Sequence, residues 1–158
     1  KYGKQEMPWI ENVSNNSIFI SKSASANYNK AEIQRFVADL ALEEEGLLKA
    51  IAQVDLASTA AVDQIAERIY AGHQIGVSGD VLLVLKPGWL TYGRTGTSHG
   101  SPYDYDTHVP CIFYGNGVNQ GSTHSRTYTR DIASTAASIL GVSYPNGNTG
   151  SPISPLFN

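Results

Sequence analysis

The chain is short of sulfur, of charge and of histidine. Its one cysteine, Cys111, excludes an internal disulfide and any zinc site built on paired cysteines. Charged residues make up only 16% of the chain and the net charge is −3, so no basic stripe exists to neutralise phosphates, and a nucleic-acid partner is excluded. No apolar run approaches the roughly 18 residues of a membrane span. The opening "KYGKQEMPWIENV" holds no apolar segment of the signal-peptide kind. There is no phosphate-cradling glycine loop, no G-x-S-x-G elbow, and no EF-hand loop with its glycine and closing glutamate. What is present suffices to fold: 158 residues, 41% of them hydrophobic, make one domain's length of globular chain.

Asn15-Asn16 is a turn-forming pair, and "SIFIS" after it, Ser17 to Ser21, reads as a short strand. "NKAEIQRFVADLALEEEG" predicts a helix. Asn29 caps it, Glu32 completes a capping box, and Ile33, Phe36, Val37 and Leu40 recur at i, i+3, i+4 and i+7 before Gly46 stops it. Leu47 to Asp55 reads as a strand. Ser58 is placed as the cap of a second helix, with an apolar stripe of Val62, Ile65, Ala66 and Ile69 and an end at Gly72. Val81 to Leu85 is an unbroken apolar run between turn residues, which suits a strand buried on both faces. Val109 to Gly115 reads as another such strand. The last helix, "RDIASTAASILG", takes Thr129 or Asp131 as its cap, sets Ile132, Ala136, Ile139 and Leu140 on one face, and stops at Gly141. The tail is rich in Pro, Gly and Asn and is expected to be turns. Strands alternating with helices predict an α/β or α+β class.

Between the two strongest strands, Lys86 to His108 lack convincing periodicity. A loop that long is uncommon in a compact domain unless it is functional. Two of the four histidines, His99 and His108, stand in it. Gly100 beside His99 permits a turn and the close approach of a ligand, and neutral imidazole is a common metal ligand. An ordinary loop histidine is the competing reading. Asp104, Asp106 and His108 alternate, so in an extended segment they would share a face and converge on one cation; the bland reading has the acids facing water and His108 as a hydrogen-bonding residue. His73 and His124 read as solvated. Ser98 and Thr97 would be nucleophiles only beside an oriented base, and Cys111 reads as core.

Three stretches, "SGDVLLVLKPGWL", "GTSHGSPYDYDTHVPCIFYG" and "TRDIASTAASILGVSYPNGNTGSPI", resemble in order the C-terminal part of the alkaline phosphatase superfamily. The nearest branch is that of bacterial monomeric alkaline phosphatases with a threonine nucleophile, akin to type I phosphodiesterases and nucleotide pyrophosphatases. The resemblance is clearest from Gly79 to Pro152. It implies an α/β fold: an alkaline phosphatase-like mixed sheet with flanking helices, here as a C-terminal fragment. Residues 15–80 would form a small α+β subdomain and residues 81–158 the C-terminal part of the core. It also implies two zinc ions per intact enzyme, which hold the phosphate, lower the pKa of a water and stabilise the attacking and leaving oxygens. The histidine of the family's "HG" pair is a zinc ligand and maps onto His99. His108, in "YDTHVP", maps outside the ligands and would support them indirectly. Ser134 stands where related segments carry proline.

By the same resemblance, the family's nucleophile and its paired Asp and His ligands lie before the matched region. No Asp-x-x-x-His motif and no Asp-His pair precedes His99. The expectation is the C-terminal portion of a zinc-dependent phosphate-ester hydrolase, periplasmic or secreted, whose partner is the missing N-terminal part of the same chain. It would contribute one metal ligand, contain no catalytic residue, and be inactive alone. The alternative is a stand-alone cation-binding or structural module without catalysis.

Overall fold

The computed structural model describes residues 8–91 and 96–156. Tyr92–Thr95, within the long loop, lie outside the described residues. The chain divides into two compact units, residues 1–109 and 110–158.

The first unit opens with a hairpin. β1 (Ile10–Ser14) and β2 (Ser17–Ile20) pair antiparallel, Ile10 opposite Ile20 and Ser14 opposite Ser17. Asn15 and Asn16 both take the left-handed conformation, φ 49° and 53°. Asparagine tolerates that conformation, and a two-residue turn with both φ positive matches the twist of the flanking strands. α1 (Lys22–Asn27) follows, capped by the Ser21 hydroxyl. α2 (Lys30–Ala41) is capped by Asn29, whose Oδ1 accepts from the Ala31 and Glu32 amides. The helix ends at Ala41, ahead of the expected stop at Gly46. β3 (Leu47–Ala52) leads into a 3₁₀ turn (Gln53–Asp55), shorter as a strand than expected.

The expected second helix is two. α3 (Leu56–Ala60) ends in a turn, and α4 (Gln64–Gly72) starts afresh with Asp63 as its cap, accepting from the Ala66 amide at 2.9 Å. Ser58 is no cap: it lies inside α3, its hydroxyl returned to the Asp55 carbonyl. An aspartate accepts the orphan amides of a first turn as a serine does, and Asp63 sits where the apolar stripe of α4 begins. β4 (Val81–Leu85) takes the centre of the antiparallel sheet, whose order is β1-β2-β4-β3.

That central place is why β4 is unbroken apolar sequence. Val81 packs with Ile18, Ala38 and Ala52 on the α2 side. Leu82, pointing the other way, packs with Ile51, Leu56 and Ala66 on the α3 and α4 side. Helices thus cover both faces, and the α/β class holds.

The buried face of α2 keeps Ile33 and Val37 of the expected stripe but not its other half. Ile33, Gln34 and Ala38 are buried, while Phe36 and Leu40 are largely exposed. A glutamine displaces the aromatic because a polar network needs it. Gln34 Nε2 donates to Asp80 Oδ1 at 3.0 Å and to Gln53 Oε1 at 3.1 Å, and its Oε1 accepts from the Val54 amide. With Oε1 of Gln53 accepting, its Nε2 donates onward to His73 Nε2 at 3.2 Å. His73 is therefore half-buried and bonded rather than solvated.

The second unit carries α5's successor in the chain; α5 itself (Asp104–Thr107) is a single turn in the first unit. α6 (Asp131–Leu140) ends at Gly141, which takes φ 64° as a left-handed stop. Neither expected residue occupies its N-cap position, which is Arg130; Asp131 instead accepts from the Tyr128 amide at 2.9 Å and the Ser151 amide at 3.0 Å. The helix buries Ser134, Thr135 and Ala137, leaving Ile132 and Leu140 exposed. The hydroxyl face wins because the tail supplies partners: Ser134 Oγ donates to Asn148 Oδ1, and Thr135 Oγ1 accepts from the Ile153 amide. Residues 109–115 form no strand. Ile112 is 84% exposed and Tyr114 100% exposed, and Cys111 is exposed rather than core. A strand needs a neighbour to satisfy its backbone groups, and none pairs with this run among the described residues.

Candidate functional site

The long loop follows β4, and its later part is tied back to the end of that strand. Ordering such a loop costs about 1–2 kcal/mol of backbone entropy per residue, so its anchors matter. Tyr103 Oη donates to the Leu85 carbonyl at 2.5 Å, and its ring stacks on Tyr105 with centroids 5.4 Å apart. Burial pushes the Tyr103 phenol up from its ordinary pKa, which keeps it a donor. Tyr105 Oη accepts from the Gly88 amide at 3.3 Å. From α4, Arg68 Nη1 donates to the Pro102 carbonyl at 2.5 Å and Nη2 to Asp104 Oδ1 at 2.6 Å.

His99 lies exposed on this loop, next to Gly100 at φ 95°, a conformation L side chains rarely adopt. Asp106 lies within electrostatic reach of it. The Ser101 amide, donating to Asp106 Oδ2 at 2.6 Å, is the main cause that holds the Asp106 carboxyl below its usual range; the charge of His99 adds to the effect. An open cleft of about 520 Å³ adjoins the loop, with Arg68, His73, Gly100, Ser101 and Thr107 among its walls. A larger one, about 610 Å³, lies by β1, α1 and Asp80 and takes no part in the loop.

The alternation of Asp104, Asp106 and His108 does not make a shared face. Asp104 and Asp106 lie in a helical turn, where positions i and i+2 point to nearly opposite sides, and His108 follows the turn as its C-terminal cap. Asp104 is taken by Arg68, Asp106 by the Ser101 amide, and His108 is exposed where the turn ends, its own amide donating to the Asp104 carbonyl at 3.0 Å. Among the described residues no three His, Cys, Asp or Glu side chains are grouped to hold a metal ion. A catalytic zinc needs about three protein ligands. His99 stands as a single exposed imidazole on an anchored loop. His124 is exposed. No helix among the described residues is long and apolar enough to cross a membrane.

Sequence reasoning missed Arg68 and Tyr103, the residues that seat the loop. Arg68 lies on the exposed side of an ordinary amphipathic pattern, and nothing local marks its partners 34 and 36 positions away.

No protein-family model matches the chain. It is 32% identical over 136 residues to the alkaline phosphatase PhoV of Synechococcus elongatus, covering 86% of this chain and 24% of PhoV. It is 42% identical over 106 residues to a protein of Myroides odoratus named calcium-transporting ATPase, covering 65% of this chain and 19% of that protein. To the alkaline phosphatase PafA of Elizabethkingia meningoseptica it is 29% identical over 127 residues, covering 80% of this chain and 23% of PafA. A crystal structure of wild-type PafA superposes with a TM-score of 0.85 at 25% identity, over 95% of this chain and 29% of the PafA chain. The chain thus spans about a quarter or less of the curated relatives it matches. Two relatives of that name, and a superposition on one of them that takes in nearly every residue, place the chain in the alkaline phosphatase superfamily over the part it matches.

Proposed function

We propose that the chain is the C-terminal part of a zinc-dependent hydrolase of phosphate esters, and that His99 is one of the ligands of its metal centre. The observation that carries this reading is the seating of His99. A single imidazole is presented to solvent beside Gly100 at φ 95°, on a loop pinned to β4 by Tyr103 and to α4 by Arg68. A solvated loop histidine needs no such anchoring.

Zinc, when bound, would act as a Lewis acid that neutralises charge developing on the phosphoryl oxygens. The part played by this chain's residues is narrower. His99 offers a ring nitrogen. Asp106 is held by the Ser101 amide beside it and supplies negative charge nearby without being free to swing away. His108 would support the wall of the site without touching metal. The nucleophile and the other ligands belong to the rest of the same polypeptide, so this chain alone hydrolyses no phosphate ester. A periplasmic or secreted location fits the superfamily reading.

The test is made in the longer enzyme. His99→Ala should lower kcat/KM for p-nitrophenyl phosphate about a hundredfold or more, because losing a zinc ligand removes metal affinity and several kcal/mol of charge stabilisation. His124→Ala, at an exposed position of the second unit, should leave it near wild type. Equal activity in the two variants would refute the assignment of His99.

A further inference from the structure

On the reading of His99 as a zinc ligand, we propose that Arg68 is the positioning residue that sets His99 against the metal, by clamping the loop to α4 with both prongs of its guanidinium. The base of the clamp is rigid. Asp63 caps α4, and Lys49 Nζ holds Asp63 Oδ2 at 2.7 Å. Ala66, two residues before Arg68, is wholly buried among Ile51, Leu56 and Leu82. Arg68 therefore leaves the helix from a point the core has fixed.

The other anchors act within the loop's own neighbourhood. The tyrosines tie it to the end of β4 and to Gly88, and Asp106 ties it to Ser101. Arg68 provides the hydrogen-bonded tie to the helical layer among the described residues. Its Nη1 takes the Pro102 carbonyl at 2.5 Å, and its Nη2 takes Asp104 at 2.6 Å. Those two points bracket Tyr103 and stand three and five residues beyond His99. With Gly100 bending the chain between His99 and Pro102, the clamp sets the direction in which the histidine leaves.

The two prongs differ in weight. Asp104 is 85% exposed, so its ion pair with Arg68 is screened by water and contributes little. The charge-assisted bond to the part-buried Pro102 carbonyl is the stronger prong. A planar guanidinium serves both acceptors at once, whereas a lysine ammonium is a point charge on a flexible stem.

The experiment uses the protein as its host makes it, with four variants: Arg68→Met, Arg68→Lys, Asp104→Asn and His99→Ala. Zinc affinity is read by competition with a chromophoric chelator. Amide exchange is read over residues 97–108 and, as a fold control, over α4 and β4. Arg68→Met should weaken zinc affinity by about tenfold to a hundredfold, as loss of an outer partner of a metal ligand does. It should speed exchange in the loop, leave α4 and β4 protected, and regain most of its kcat at saturating zinc. Arg68→Lys should recover part of the affinity, and Asp104→Asn should stay close to wild type. Unchanged zinc affinity in Arg68→Met would overturn the proposal. So would a loss matched by faster exchange throughout α4 and β4, which would mark Arg68 as general scaffolding. Full zinc retention in His99→Ala would sink the ligand reading beneath it, whatever Arg68→Met does.

Discussion

Replacing Asp80 with alanine removes three partners at once, and their surroundings set the cost. Its carboxylate accepts from the Ile20 amide at 2.9 Å, from Gln34 Nε2 at 3.0 Å and from Lys30 Nζ at 2.8 Å. Lys30 is half exposed and regains water, so that contact accounts for at most about 1 kcal/mol. The other two donors sit in or beside the core, since Gln34 is completely buried and Ile20 is 5% exposed. Leaving each unpaired costs about 1–3 kcal/mol. Some water reaches the vacated position, because the aspartate side chain is 14% exposed. The loss expected is therefore about 2–4 kcal/mol. The assay is urea unfolding followed by tryptophan fluorescence, with Arg35→Ala as control; that residue's pair with Asp55 is open to water and contributes little. The effect should also depend on pH. Burial pushes the Asp80 carboxyl up, but Lys30, the Ile20 amide and Gln34 together outweigh it and hold it below its ordinary value. A lowered folded pKa gives stability that is present above the unfolded value of about 3.9 and lost as pH falls through the folded one. The gap between wild type and Asp80→Asn should accordingly close in acid. A change in Asp80→Ala no larger than in Arg35→Ala at neutral pH would refute the reasoning.

Gly150→Ala should disrupt the second unit, because a Cβ there would run into the Arg130 carbonyl group and the Asp131 Cα. Backbone on both sides cannot yield cheaply, so the cost is about 3 kcal/mol or more, and unchanged exchange protection of the Ile153 amide would contradict it. Protection of the Ser101 amide, corrected for the intrinsic rate, should be steady above the ordinary carboxylate range and fall as pH drops through the lowered value of Asp106. Asp106→Asn should show weaker protection without that acid step, and an acid step that survives the substitution would assign it to another group.

What the sequence by itself determined is whatever a few neighbouring residues settle. Asn15-Asn16 turns because both residues tolerate positive φ, and Asn29 caps α2 because its side chain reaches the amides two and three positions on. The unbroken run Val81–Leu85 had to sit between helices, because both of its faces are apolar and need cover. Resemblance singled out His99, and composition could not have done so. What only the tertiary structure decided rests on partners far along the chain. Gln34 is buried in place of Phe36 because Gln53, Val54 and Asp80 meet it there. Ser134 and Thr135 are buried in place of Ile132 because the tail folds back to them. Asp104 and Asp106 do not converge on a cation because, two apart within one helical turn, they point to nearly opposite sides, and Arg68 takes the first. Residues 109–115 carry strand-like sequence but form no strand, since a ladder requires a second chain segment that periodicity cannot supply. A local pattern states which groups must be covered; which distant group covers them is set by the packing.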